Sequence, residues 1–317
     1  MRRWLAAASL AALAVAAVAA QPNPFRRVDN WFTPPADVTF GALAGVVPAK
    51  DGDLWVVHRG EPPILKVTRA GAVVRSFGQG LFHTAHGAFV DRDGNLWVPD
   101  SGAFNDKGRV EGKAYQVFKF DPSGTLLMTL GKANVPMAGP DTFLAPVAVV
   151  VNEAGEIFVA DGHMPRGGPQ DGDRIVKLDR QGRFLAQWGR KGSAPGELNG
   201  PHAMVMDARG RLLVADRDNL RVQIFDQAGA YLGHWMHYAR PSGVWVDRAD
   251  TVYVAHNADP AKVLPGWAFG IRMGSAKDGT LTGLIPDLDS EVVGTDLDVN
   301  VYAGPQLRRT LEKYVRN

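Results

Sequence analysis

The sequence predicts an all-β fold, a six-bladed β-propeller made of four-stranded antiparallel blades. A hairpin signature recurs six times along the chain. Most copies are followed by a second stretch of alternating apolar and polar residues around a turn. Beyond the N-terminal segment no helical periodicity is sustained and no linker divides the chain. Repeats of four short strands about every 40–60 residues are the mark of propeller blades. A length of 317 residues suits one closed β-architecture.

The blades read in order. Degenerate hairpins start at Pro48, Val246 and Thr295, and the full pattern spans Val90–Asp100, Val151–Asp161 and Met206–Asp216. Each has an apolar strand, a tight turn that carries glycine in the full copies, and a second apolar strand. Strands three and four are expected around Val117–Gly124, Arg174–Gly182 and Arg221–Gly229, with looser versions at Ile64–Gly71 and Gly270–Gly279. The last copy, Asp296–Val315, is too short for four strands, so residues near Arg27–Phe32 are expected to complete that blade and close the ring.

Residues 1–20 read as a secretory signal. Arg2 and Arg3 precede an apolar run from Leu5 to Val18, and small residues follow at Ala19 and Ala20. The competing reading is an uncleaved anchor, but the run is short and Ala-rich, and Pro22 and Pro24 follow it. Cleavage leaves a propeller domain over 21–317 in the periplasm or outside the cell. With no cysteine, the chain has no disulfide, thiolate nucleophile or Cys-based metal site. A net charge of +2, with both signs interleaved, argues against nucleic acid and anionic membrane surfaces. The expected partner is a small-molecule or peptide-derived substrate, and the expected state is a monomer.

Aligning the hairpins exposes one informative position, five residues before the Asp or Asn that ends each first strand. Blades one to six place Ala44, His86, Val147, His202, Ser242 and Glu291 there. The position enters the innermost strand, beside the channel. Its three ligand-type side chains fall on alternate blades, so a six-fold ring converges them on the axis. Two histidines and a carboxylate make a divalent-metal site with open coordination positions. Against this, a lone histidine at a strand entrance is commonly a hydrogen-bonding loop residue. Glu291 also lies in a blade that has lost its turn glycine, where a one-residue slip substitutes Ser290 or Val292.

Second strands return to the face the first strands leave. Arg59 and Arg217 both follow their turn glycine by seven residues, and His163 follows its own by eight. The guanidinium forks suit a substrate carboxylate or oxyanion, or alternatively cap a neighbouring loop. Two long polar connections, Ser101–Tyr115 and Gly162–Asp173, are expected over the channel. His163 opens the second and suits a general base. Asp100, Asp161 and Asp216 share a register and are expected to hydrogen-bond between blades. His83, His234, His237 and His256 lack register support and are expected to be ordinary residues.

The repeats resemble NHL repeats. Ala85-His86-Gly87, Gly200-Pro201-His202 and Val214-Ala215-Asp216-Arg217, with Val57-His58-Arg59-Gly60, are similar to peptidyl-α-hydroxyglycine α-amidating lyase over nearly all of the chain after residue 20. The resemblance implies a channel zinc ion held by His86 and His202, with Arg59 and Arg217 around the substrate. It implies a lyase that breaks an N–C bond at a hydroxylated carbon. Two departures stand out: Glu291 occupies the third ligand position in place of histidine, and His163 stands in for the tyrosine base. The family's structural calcium also uses an Asp after the third histidine, where this chain has Val292, so calcium is not expected. Two other functions remain open on the residues alone: a metal-dependent hydrolase of the lactonase-like kind, and a non-catalytic binding propeller.

Overall fold

The computed structural model describes residues 22–102, 112–162, 172–256, 270–305 and 308–317. The chain opens with β1 (Phe25–Val28). Blade one is β2 (Leu43–Pro48), β3 (Leu54–His58), β4 (Ile64–Val67) and β5 (Val73–Phe77), and blade two is β6 (Phe89–Val90), β7 (Leu96–Asp100), β8 (Gln116–Phe120) and β9 (Leu126–Gly131). Blade three is β10 (Pro146–Val151), β11 (Ile157–Asp161), β12 (Arg174–Leu178) and β13 (Phe184–Trp188), and blade four is β14 (Pro201–Met206), β15 (Leu212–Asp216), β16 (Arg221–Phe225) and β17 (Tyr231–Trp235). Blade five is β18 (Gly243–Val246), β19 (Thr251–Ala255), β20 (Gly270–Ser275) and β21 (Leu281–Pro286), and the last blade adds β22 (Val293–Thr295), β23 (Val301–Ala303) and β24 (Glu312–Arg316).

These strands form six four-stranded antiparallel sheets, five of them meandering in chain order. The sixth runs β22-β23-β24-β1, so the N-terminal strand closes the ring as expected. The closing segment lies slightly earlier than Arg27–Phe32: Phe25 to Val28 pair with Arg316 to Lys313. Trp31 instead donates its indole N–H to the Arg69 carbonyl, and Phe32 enters the core between the last blade and blade one.

Burial explains the sequence pattern. Every residue of β3, β7, β11 and β15 is buried, because second strands are sandwiched between neighbouring blades on both faces. They therefore read as nearly continuous apolar runs. Fourth strands such as β13 lie at the rim and expose most of their residues. Between blades one and two the core joins Trp55 and Val57 to Leu96 and Val98. Between blades three and four it joins Phe158 and Ala160 to Leu212 and Val214. Burying each such side chain contributes about 1.5–3 kcal/mol.

The turns between first and second strands share one device. Asp91, Asp207, Asp247 and Asp296 each accept backbone N–H bonds from the residues two and four positions on. The residue three positions on takes a positive φ, at Gly94 and Gly210 but also at Asp250 and Val299. Val299 thus keeps the turn geometry that the last blade lost glycine for, and Glu291 lies eight residues before it, as His86 and His202 do before Gly94 and Gly210.

Candidate functional site

The first strands of blades one, three and four enter the channel through an irregularity in their ladders. Leu43 pairs with His58 but Gly45 with Val57, and Ala44 is skipped. In blade three Val147 is skipped between Pro146 and Ala148, and in blade four His202 between Pro201 and Ala203. A bulge of this kind turns its side chain away from the regular pleat. In blade two Ala85 bridges Asp100 immediately before His86. The aligned positions are therefore real structural equivalents: Ala44, His86, Val147, His202, Ser242 and Glu291 all line one central pocket, with Arg59.

Both channel histidines are buried and held in one way. His86 Nδ1 donates to the Val147 carbonyl at 2.9 Å, and His202 Nδ1 to the Ser242 carbonyl at 2.8 Å. Each bond reaches the aligned residue of the next blade. A carbonyl oxygen only accepts, so Nδ1 carries the proton, and in a neutral ring Nε2 carries the lone pair. Burial, then the charge of Arg59, pulls the His86 imidazole down to about 3, so the neutral form holds at physiological pH. The two rings lie edge to face with centroids 4.7 Å apart. Close approach of the blades requires Gly87, whose φ is +70° and where a Cβ would meet the Val147 oxygen at 2.7 Å.

Glu291 faces this pair and the arginines together. One carboxylate oxygen is 3.8 Å from His202 Nε2 and 3.6 Å from Arg217 Nη1, and the other is 3.5 Å from Arg59 Nη2. Among the described residues no three His, Asp or Glu side chains are already gathered at metal-ligand spacing. The Glu291 carboxylate lies marginally nearer the two guanidinium groups than the His202 ring. Arg217 is buried, and burial, helped by the neighbouring Arg240 charge, pulls it down to about 10, still a cation at neutral pH. Arg240 in turn pairs with Asp218 at 2.7 Å. Arg240 and Asp218 carry no repeat signal in the sequence, because they belong to blade four's own connections.

His163 lies outside the described residues, as do most of the two long connections and the N-terminal residues 1–20. Asp100, Asp161 and Asp216 are hydrogen-bonding residues, but not between blades. Each clamps the segment that leads into its own blade: Asp100 accepts from the backbone of His83 and Thr84, Asp161 from Leu144 and Ala145, and Asp216 from Asn199. Asp161 and Asp216 also pair with the buried Arg174 and Arg221 at 2.9 and 2.7 Å.

His256 does have register support, contrary to expectation. It stands nine residues after Asp247, as Asp216 stands after Asp207, and His58 holds the same position in blade one. Both imidazoles act as the acceptor that the carboxylate supplies elsewhere. His58 Nδ1 takes the N–H groups of Gly41 and Gly60, and His256 Nε2 takes those of Gly270 and Arg272. The remaining histidines serve locally. His83 Nδ1 contacts Thr84 Oγ1, His234 contacts Tyr231, and His237 Nε2 donates to the Gly279 carbonyl.

Comparison with known proteins agrees with this architecture. Residues 198–225, which carry His202 and Arg217, match the NHL repeat. The chain is 34% identical over 188 residues to peptidyl-glycine alpha-amidating monooxygenase B of Xenopus laevis, 57% of this chain but 18% of that protein. It is 31% identical over 222 residues to NHL repeat-containing protein 3 of Mus musculus, 67% of this chain and 60% of the relative. It is also 33% identical over 177 residues to a probable peptidyl-alpha-hydroxyglycine alpha-amidating lyase of Caenorhabditis elegans, covering 55% and 45% of the two chains. The matched stretch is thus less than two thirds of each of these relatives.

Solved structures share the fold at low identity. A gluconolactonase of Xanthomonas campestris superposes with a TM-score of 0.63 at 16% identity, covering 95% of this chain and 93% of its own. A streptogramin B lyase gives 0.59 at 14%, covering 92% and 98%. Relatives and fold neighbours therefore include enzymes of more than one reaction type. Among the described residues no helix is long and apolar enough to cross a membrane. The chain is a six-bladed β-propeller that carries an NHL repeat at residues 198–225 and is similar to peptidyl-α-hydroxyglycine α-amidating lyases.

Proposed function

We propose that this chain is an exported, metal-dependent lyase that cleaves the N–C bond at a hydroxylated carbon of a small carboxylate-bearing substrate, of the hydroxyglycine kind. One observation carries the reading: two channel histidines on alternate blades have their Nδ1 protons committed to backbone carbonyls, which leaves the Nε2 lone pairs as the ring's donor side. Neutral imidazoles oriented by an outer hydrogen bond are the usual ligands of zinc. The donor set therefore fits a divalent cation at His86 Nε2 and His202 Nε2, with Glu291 as the third ligand. Such a cation lowers the pKa of a hydroxyl it binds, and a carboxylate ligand in place of a third imidazole weakens that effect.

The protein's own residues supply the remainder. Arg59 and Arg217 hold the substrate carboxylate through charge-assisted hydrogen bonds. His163 takes the proton of the carbinol hydroxyl. The oxygen's electron pair forms the carbonyl, the C–N bond breaks, and the nitrogen leaves with a proton to give an amide and an α-keto acid-type aldehyde such as glyoxylate. The apolar channel wall around Val46, Val149 and Val244 keeps bulk water from competing for the polar groups. Export after cleavage near residue 20 delivers the enzyme to the periplasm or beyond, as a monomer.

The test is to purify the protein, assay its metal content and measure amide release from an N-acyl-α-hydroxyglycine. The proposal expects about one zinc per chain and turnover that chelation removes. Hydrolysis of a lactone by the same metal-loaded protein, without amide release, overturns the lyase in favour of the lactonase-like hydrolase. No bound metal and no turnover of either substrate overturns both and leaves a binding propeller.

A further inference from the structure

Glu291 differs from the buried Asp161 and Asp216 by the looseness of its ion pairs. Asp161 and Asp216 meet Arg174 and Arg221 at 2.9 and 2.7 Å and receive further hydrogen bonds from backbone or amide groups, so those pairs are fixed parts of the fold. Glu291 instead spans two guanidinium groups with one oxygen each, at 3.5 and 3.6 Å. Charge-assisted N–H···O bonds normally close to about 2.7–2.9 Å. Its side chain is 12% exposed, against none for Asp161 and Asp216, so it sits where an entering ligand meets it.

We infer that Glu291 is an intramolecular occupant of the Arg59–Arg217 fork, and that a small anion enters this channel only by displacing it. The inference rests on the reading that these arginines hold the substrate carboxylate. Glu291 places a carboxylate where that group would sit, so the protein carries its own competitor. Around it, the guanidinium groups of Arg59, Arg217 and Arg240 face the carboxylates of Glu291, Asp218 and Asp289. Three cations against three anions balance, so the fork takes an entering carboxylate as the Glu291 carboxylate swings out of it. One oxygen of Glu291 already stands 3.8 Å from His202 Nε2, so displacement from the fork moves it along the histidine side. One side chain thus links anion binding at the arginines with cation binding at the histidines.

The experiment measures hippurate binding to the full chain by calorimetry in excess EDTA. Hippurate carries the carboxylate and lacks the hydroxyl. Displacement predicts weak binding to the wild type and binding on the order of tenfold tighter to Glu291→Gln. Glu291→Asp keeps the charge but withdraws it by one methylene, and it should tighten binding by roughly threefold. Arg217→Met in the Glu291→Gln background should remove the gain. Melting temperatures confirm that each variant is folded. Unchanged affinity in both single variants overturns the inference. A gain in Glu291→Gln with Glu291→Asp at the wild-type value also overturns it, because the charge alone then acts at a distance. These measurements need no metal, so a wild type that binds no zinc overturns the proposed lyase and leaves the displacement result standing.

Discussion

The Nδ1–H of His86 reaches across a blade boundary to the Val147 carbonyl at 2.9 Å, and the distance depends on a glycine. Gly87 has a φ of +70°, and a methyl group there would stand 2.7 Å from the same oxygen. Gly87→Ala should cost about 1–3 kcal/mol in stability. It should also weaken metal binding by about 10–100-fold, because the ring loses its orienting bond. Denaturant unfolding and a zinc titration read the two effects separately, and unchanged zinc affinity would contradict the role given to this bond.

Arg217 makes a second prediction. Its buried guanidinium lies beside Glu291 and Arg240 and is expected to hold the substrate carboxylate in a planar fork. Arg217→Lys retains a cation but loses the fork, and should reduce kcat/KM on a carboxylate substrate by about 10–100-fold. A substrate ester lacking the charge should lose much less. Equal losses on acid and ester would show that the change disturbs the channel rather than recognition.

How much of this was legible in the sequence depended on what repeats. The six hairpins are copies, so one alignment placed His86, His202 and Glu291 in equivalent positions, and the bulges at Ala44, Val147 and His202 show why that position faces the channel. Whatever belongs to a single blade left no such signal. Arg240 and Asp218 could not be read from periodicity. The histidines at the Asp216 position were missed because the pattern was sought in residue type, whereas the fold requires only an acceptor: Asp216 provides an oxygen, His58 and His256 a ring nitrogen. The clamp of Asp100 on its own blade's entry segment was likewise hidden, since His83 and Thr84 offer backbone N–H groups that no side-chain pattern reveals.

The blade clamps carry a stability prediction. Asp161 is buried against Arg174 at 2.9 Å and accepts from Leu144 and Ala145. Asp161→Ala would leave a buried guanidinium and two backbone donors without that acceptor, at a cost of about 3–5 kcal/mol. The urea midpoint should fall accordingly, and a loss below about 1 kcal/mol would show that the clamp is peripheral.

His58 predicts a pH effect on folding. Burial pulls its imidazole down to about 4 from an ordinary 6.5. Below 6.5 the unfolded chain takes up a proton that the folded chain refuses. This contribution is therefore complete above pH 6.5 and is lost as pH falls toward 4, at up to about 1.4 kcal/mol per pH unit. His58→Asn keeps an acceptor for Gly41 and Gly60 without titrating, and should flatten this part of the stability profile. An unchanged slope would mean that His58 protonates without disturbing the fold.

The most direct measurement pairs zinc content with lyase turnover in the wild type and in the double variant His86→Ala/His202→Ala. The geometry of the two Nε2 atoms predicts about one zinc per wild-type chain, with amide released from N-acyl-α-hydroxyglycine. It predicts neither in the double variant, which should still fold because both rings line a channel rather than a blade core. A double variant that keeps its metal and its turnover would contradict the assignment of the channel histidines as the metal site.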